Sequence, residues 1–164
     1  MSNTVTQDLF SQTYDDMVDN LYRHCFFRLS SKEKAEDIVQ DTFAKFWKEL
    51  HKGKTIEYPK AWLYRTAQNA IIDLYRKKTS VSLDEKQEEN GFDAPDEKAH
   101  DDIEMNAEIR LVMDRVEKLS EDDREVIVLR YIDGLEVKEI AEIVGGSANA
   151  IAVRLHRAVT KLKQ

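Results

Sequence analysis

From Pro59 to Lys78 the chain runs for twenty residues without a glycine or a second proline. Such a stretch is constrained to be a helix. Pro59 suits the first turn, where its missing N–H has no intrahelical role, and nothing breaks the helix before Lys78. At about 100° per residue the side chains sort onto two faces. Leu63, Ala67, Ala70, Ile71 and Leu74 share one, flanked by Tyr64 and Tyr75. Trp62, Arg65, Thr66, Asn69, Asp73, Arg76 and Lys77 share the other. A solvated face normally carries no tryptophan. A face that meets nucleic acid does, with cations for phosphates, an amide for a base edge and a ring for a displaced base. The competing reading tucks Trp62 under a loop and leaves the basic end to complement the helix dipole. On this stretch alone both stay open.

Composition extends the helical expectation to the whole chain. Glycine and proline together number seven, and 35% of residues are charged, which disfavours a sheet-rich fold. An apolar share of 41% suffices for small cores. No apolar run approaches the ~18 residues of a membrane span, and the first residues lack a basic-then-apolar signal. No membrane insertion is therefore expected. A single cysteine, Cys25, excludes an internal disulfide and suits a reducing, cytoplasmic setting. The net charge of −7 argues against nucleic-acid binding over the whole surface, but the charge is segregated. Residues 60–78 hold five Lys/Arg against one Asp, and residues 151–164 hold four Lys/Arg, one His and no acid. Residues 84–104 hold ten Asp/Glu against two Lys.

Taken in order, residues 7–29 repeat apolar side chains at three and four, from Leu9 and Phe10 to Phe26 and Leu29. Ser31 suits the cap of a second helix running to about Leu50. Its expected buried face is Ala35, Ile38, Val39, Thr42, Phe43, Phe46 and Leu50. Its outer face is Asp37, Gln40, Asp41, Ala44 and Lys48, with Trp47 on the border. A basic loop, residues 51–58, leads into the helix at Pro59. Residues 79–103 have no helical or strand period, are acidic, and contain Gly91 and Pro95, the pattern of a flexible linker at a domain boundary. Period three and four resumes near Ile103, with Leu111, Val112, Val116 and Leu119. Ser120 with Asp123 resembles a capping box. Asp133-Gly134 ends the next helix. A short helix over 137–144, the pair Gly145-Gly146 and a Ser147-capped final helix then match a helix-turn-helix. That last helix is expected to bury Ile151, Leu155, Ala158 and Leu162. Asn149, Val153, His156, Arg157 and Thr160 point away, and Arg154 and Lys161 flank, placed to reach phosphates. The acid-free outer face favours DNA over an ordinary bundle helix.

Three segments in this order resemble those of a bacterial extracytoplasmic-function (ECF) sigma factor, a minimal member of the sigma-70 family. Residues 35–47, AEDIVQDTFAKFW, are similar to the helix by which the family binds core polymerase. Residues 59–78 are similar to its −10 promoter segment. Residues 119–135 with the helix-turn-helix are similar to its −35 domain. The resemblance implies an all-α fold of two small helical domains, an N-terminal helical bundle and a C-terminal helix-turn-helix, joined by a flexible acidic linker. The expected bounds are 1–78 for the polymerase-binding and −10 domain, 79–103 for the linker and 104–164 for the −35 domain. It assigns Asp37, Gln40, Asp41, Phe43 and Trp47 to polymerase docking. It assigns Trp62, Arg65, Asn69, Arg76 and Lys77 to −10 DNA, with the loop 51–58 capturing a flipped base. It assigns Asn149, Val153, Arg154, His156, Arg157 and Lys161 to −35 DNA. The −35 helix departs from the common family pattern: Ala150 and Val153 stand where hydroxyls are usual and Ala152 where a cation is. Ala152 and Val153 are suited instead to thymine methyls.

The implied partners are bacterial core RNA polymerase, promoter DNA and an anti-sigma factor. No cofactor is implied. His24, His51, His100 and His156 are scattered, and with one cysteine there is no zinc set. There is no Gly-rich phosphate loop, and the carboxylates lie in the linker or on solvated faces, so the chain is not expected to be an enzyme. His24-Cys25 suits a core or boundary position better than a ligand pair. Two further readings compete: an operator-binding helix-turn-helix dimer, and a helical adaptor whose acidic linker meets a basic partner. Neither needs the tryptophan on a basic helix.

Overall fold

The computed structural model describes residues 3–84 and 107–164, and within them the chain is helical, with no strand. Seven α-helices follow in order: α1 (Asn3–Leu29), α2 (Lys32–His51), α3 (Pro59–Asp84), α4 (Ala107–Glu117), α5 (Glu121–Ile127), α6 (Val137–Val144) and α7 (Ala148–Lys163). The all-α fold expected from the sequence is present. The expected linker falls partly inside α3, which continues six residues past Lys78 to Asp84. Residues 79–84 contain neither glycine nor proline, so the helix meets no backbone breaker there. Residues 85–103 lie outside the described residues.

The ends of the helices follow from short polar side chains. Ser30 closes α1 in the left-handed region at φ 52°, and its N–H donates to the Phe26 carbonyl at 2.8 Å. Ser31 then opens α2, its hydroxyl accepting from the Lys34 N–H at 3.3 Å. Ser120 and Ser147 do the same for α5 and α7, accepting from the N–H groups of Asp123 and Ala150. The expected capping box at Ser120 is only half made, because the Asp123 carboxylate turns to Lys161 at 2.6 Å. A reciprocal bond stands instead at the start of α6, where the Glu136 N–H donates to the Glu139 carboxylate at 3.2 Å. The C-terminal end of α5 widens into one π-helical turn, Val128–Ile132. Gly134, at φ 72°, closes it, and the Leu135 N–H reaches back to the Leu129 carbonyl at 3.0 Å.

Helices α1, α2 and α3 pack around Leu21, Cys25, Phe26, Ala35, Phe46, Leu63, Ala67 and Ile71, each at most 1% exposed. An aromatic stack tightens one end. Phe10 meets Trp47 edge-on at 5.0 Å, Phe43 meets Tyr14 at 4.8 Å, and Phe46 reaches Trp62 at 5.5 Å. Burial pushes the Cys25 thiol up to about 12 and raises the Tyr64 phenol as well. Helices α4 to α7 surround Val126, Val128, Leu129, Leu135, Ile140, Ile151 and Ala158. In α4 the packing differs from the sequence expectation. Met113 and Val116 face inward, at 2% and 4% exposed, while Leu111 and Val112 stand out at 55% and 53%. At about 100° per residue Leu111 falls on the face opposite the Met113–Val116 stripe, and Val112 falls on its border.

The two groups of helices are docked on one another. His24 of α1 and Asp133, just past the π turn, meet at 2.7 Å with both side chains sealed from solvent. Arg28, 1% exposed, donates to Gln68 of α3 and to Glu121 of α5. The Ser30 hydroxyl donates to Glu117 at 2.8 Å.

Candidate nucleic-acid and protein interfaces

Helix α2 turns Asp37, Gln40 and Asp41 outward, and all three are exposed. Trp47 lies half-buried one turn and a half further on, 4.3 Å from the His51 ring. Phe43 does not join the outer face. It is 4% exposed and sits beneath Tyr14. Its part in this surface is to hold Tyr14, which is 42% exposed and which the sequence reading did not include. The result is an acidic stripe bordered by two accessible rings.

On α3, Arg65, Asn69, Arg76 and Lys77 are exposed and Trp62 is half-buried. The indole leans on Phe46, so its position is fixed from below by the core while one side remains open. The Thr66 hydroxyl donates to the Trp62 carbonyl at 2.8 Å. Trp62 thus borders the loop and also keeps an accessible surface. Between α3 and the loop after α2 lies an open pocket of about 590 Å³, lined by Lys54, Ile56, Tyr58, Trp62 and Arg65 among others. Tyr58 is 70% exposed at its mouth. Lys54 and Lys52 hold the near wall through Glu49, at 2.6 and 3.3 Å, and these bonds draw the Glu49 carboxyl below its usual range. Gly53, at φ 82°, supplies the left-handed turn the loop needs.

On α7, Asn149, Val153, Arg154, His156, Arg157 and Lys161 are all exposed, opposite buried Ile151, Leu155 and Ala158. Lys161 also serves the fold. Its ammonium holds Asp123, whose carboxyl is lowered by that bond. Gly145 and Gly146, at φ 89° and 97°, make the turn that sets α7 across α6. Thus the −10 and −35 sets stand on separate helices. Two bonds tie α3 to α6: the Arg65 guanidinium donates to the Glu142 carbonyl at 2.6 Å, and Lys60 pairs with Glu139 at 3.1 Å.

The sequence reading expected His24 in the core or at a boundary, and it is buried; it missed the burial of Arg28, Gln68 and the Asp133 side chain. A signal for Arg28 exists. Leu21, His24, Cys25 and Arg28 recur at helical spacing, so a histidine and an arginine occupy the apolar stripe of α1. Among the described residues no three His, Cys, Asp or Glu stand together as a metal site. None of the described helices is long and apolar enough to cross a membrane.

Known proteins agree with this architecture. Residues 13–81 match Sigma-70 region 2, and residues 109–162 match Sigma-70, region 4. The ECF RNA polymerase sigma factor SigW of Bacillus subtilis is 30% identical over 166 aligned residues, covering 96% of this chain and 89% of its own. The chain belongs to the ECF RNA polymerase sigma factors. Another relative, the RNA polymerase sigma factor YlaC of Bacillus subtilis, is 29% identical and covers 96% of this chain and 90% of its own. Among solved structures, CnrH in complex with the cytosolic domain of CnrY superposes with a TM-score of 0.67 at 28% identity, covering 96% of this chain and 86% of that one. The fold is also that of the sigma factor RpoE of Bartonella quintana, solved with the anti-sigma factor NepR. There the TM-score is 0.71 at 24% identity, with 94% of each chain covered. Sigma factors of this family are initiation factors of promoter-specific transcription, and the two matched regions place that role on helices α1–α3 and α4–α7.

Proposed function

We propose that this sigma factor docks core RNA polymerase through the α2 face, reads the −35 element with α7, and opens the −10 element by capturing a base beside Trp62. The pocket between the loop after α2 and α3 carries this reading. It joins an indole and a phenol to two cations, Lys54 and Arg65, at the mouth of a cavity open to solvent. Extruding a base from a duplex costs a few kcal/mol of stacking and pairing. Stacking on aromatic side chains returns about 1–3 kcal/mol per base. Melting then needs binding alone, and the chain acts without a catalytic group or cofactor of its own. The exposed acids Asp37 and Asp41 on α2 are the polymerase contacts, with Gln40 and Trp47 beside them and Phe43 as their support. On α3 the −10 contacts are Trp62, Arg65, Asn69, Arg76 and Lys77. On α7, Arg154, Arg157 and Lys161 take phosphates, while Asn149, Val153 and His156 face the groove. Residues 1–78 and 104–164 serve as the two promoter-reading domains, with the acidic segment 79–103 between them. The protein works in the cytoplasm, where its template and polymerase are, under control of an anti-sigma factor.

Run-off transcription with purified core polymerase on a library of random promoters tests the whole reading. A promoter-specific transcript with permanganate-reactive thymines near −10 is expected. Specific binding without core polymerase, and no transcript with it, would assign the chain to operator-type regulation instead.

A further inference from the structure

Helix α7 is held to its bundle by Ile151, Leu155 and Ala158, none more than 7% exposed. At about 100° per residue, the direction opposite that stripe is occupied by Asn149, Val153, His156 and Thr160. All four are exposed. Val153 stands in the middle of this row, 43% exposed, and takes no part in the apolar core. The helix gains nothing from a β-branched side chain there, since alanine or a straight polar chain is a better exposed helix former. A lone surface valine is ordinary on most helices. This one lies on a helix without a carboxylate, with Arg154 and Arg157 exposed beside it.

The row is also short of hydrogen-bonding groups. The Thr160 hydroxyl donates to the His156 carbonyl at 2.9 Å, which uses its proton inside the helix. Ala150 and Ala152 end at a single carbon. The polar side chains left are Asn149 and His156, one on either side of Val153. A rise of about 1.5 Å per residue puts Val153 about 6 Å from Asn149 and about 4.5 Å from His156 along the axis. Those spacings are between one and two base steps of about 3.4 Å. Thymine is the base that presents a methyl group in the major groove, and adenine offers the N6 and N7 pair that an asparagine amide matches. A valine forms no hydrogen bond with a base edge, so the methyl is what it can distinguish. Ala152, which the sequence reading paired with Val153, is only a quarter turn from buried Ile151, and its one carbon stays at the border of the face.

We propose that Val153 is the thymine-reading residue of the −35 contact: its isopropyl group closes on the C5-methyl of one thymine, while Asn149 holds an adenine one or two steps away. The proposal deepens the −35 assignment of α7 and rests on it. It makes recognition at one position of the element depend on a methyl group and not on a hydrogen bond.

The test uses polymerase holoenzyme and the promoter selected from the random library. Each thymine of the −35 element is replaced in turn by deoxyuridine, which removes the C5-methyl and leaves the pairing and O4 in place. Duplex binding is read by fluorescence anisotropy. The wild type is expected to lose about fourfold in affinity at one thymine, the effect of burying one methyl group, and little at the others. Val153→Ala is expected to bind the thymine promoter as weakly as the wild type binds the uracil one, and to lose nothing more when uracil is introduced. The site is exposed, so the variant's circular dichroism spectrum should match that of the wild type. A selected element without an A·T pair, wild-type binding indifferent to uracil at every position, or a Val153→Ala variant still sensitive to it would overturn the proposal. Arg157→Ala separates this failure from that of the reading beneath it. If that variant weakens promoter binding while uracil does nothing, the methyl contact alone falls. If it too leaves promoter binding unchanged, the −35 assignment of α7 falls with it.

Discussion

Replacing Glu125 by glutamine should flatten the pH dependence of stability. Glu125 is 5% exposed and its Oε1 has no hydrogen-bond partner. Burial pushes its carboxyl from an ordinary 4.5 up to about 7, against the opposing pull of Arg28. The folded chain therefore holds this proton more tightly than the unfolded chain does. The favourable contribution is fully present below pH 4.5 and is lost as pH rises through about 7. Each pH unit of displacement corresponds to ~1.4 kcal/mol. Over the span from 4.5 to about 7, with local relaxation around the ionised group, the loss amounts to roughly 1–3 kcal/mol. Glutamine keeps the shape and never ionises. Urea unfolding followed by far-UV circular dichroism, from pH 4.5 to beyond pH 7, measures the difference. With a slope of ~1–3 kcal/mol per molar urea, Glu125→Gln should gain on the order of 1 M in midpoint at the alkaline end. It should gain little at the acid end. Asp133, whose carboxyl is also raised, contributes a slope of the same sign to both proteins and cancels in the comparison. Two parallel profiles would refute the reasoning.

Four other outcomes are expected. Asp41→Arg, at an exposed site on α2, should weaken core polymerase capture about tenfold or more with an unchanged circular dichroism spectrum. Trp62→Ala should leave polymerase capture intact and remove about 1–3 kcal/mol of base stacking, read as lost permanganate reactivity at the promoter; normal opening would sink its assigned role. Phe46→Ala, which empties a fully buried site between Phe10 and Trp62, should cost about 3–5 kcal/mol in urea unfolding. Arg157→Ala should weaken promoter binding evenly across sequences and reduce the salt slope of binding by about one, which titration at several salt concentrations will measure.

Most of the helices and their serine caps were legible in the sequence because both are local, whereas α3 runs past its expected end to Asp84. Ser31, Ser120 and Ser147 cap by reaching two or three residues ahead, and the 3.6-residue period sorts α2 and α7 into faces that the fold keeps. The exposure of Asp37, Arg65 and Arg157 follows from the same period. The docking of the two helical groups was not legible. His24 and Asp133 lie 109 residues apart, and Arg28 and Glu121 lie 93 apart. No periodicity connects such pairs, and each residue taken alone is an ordinary polar residue. Phe43 shows the same limit on a smaller scale. Its place in a motif marked it as a contact residue, while its place on the inward stripe of α2 decided where the ring went. In α4 the apolar residues outnumber what one face can bury; the sequence reading took Leu111 and Val112 into the apolar repeat and passed over Met113, and packing turned Met113 inward instead.

The lone thiol gives the molecule a clock. Cys25 is fully buried beside the seam residues His24 and Arg28, and a thiol held up at about 12 exposes almost no thiolate at neutral pH. Alkylation by an added maleimide or iodoacetamide is then limited by how often α1 parts from its neighbours, much as amide exchange is limited by opening. Mass spectrometry of a timed labelling reaction would count single additions to one known atom, with no engineered cysteine and no disulfide side product. The same shielding slows attack by oxidants, which reach this thiol only at the rate of that opening.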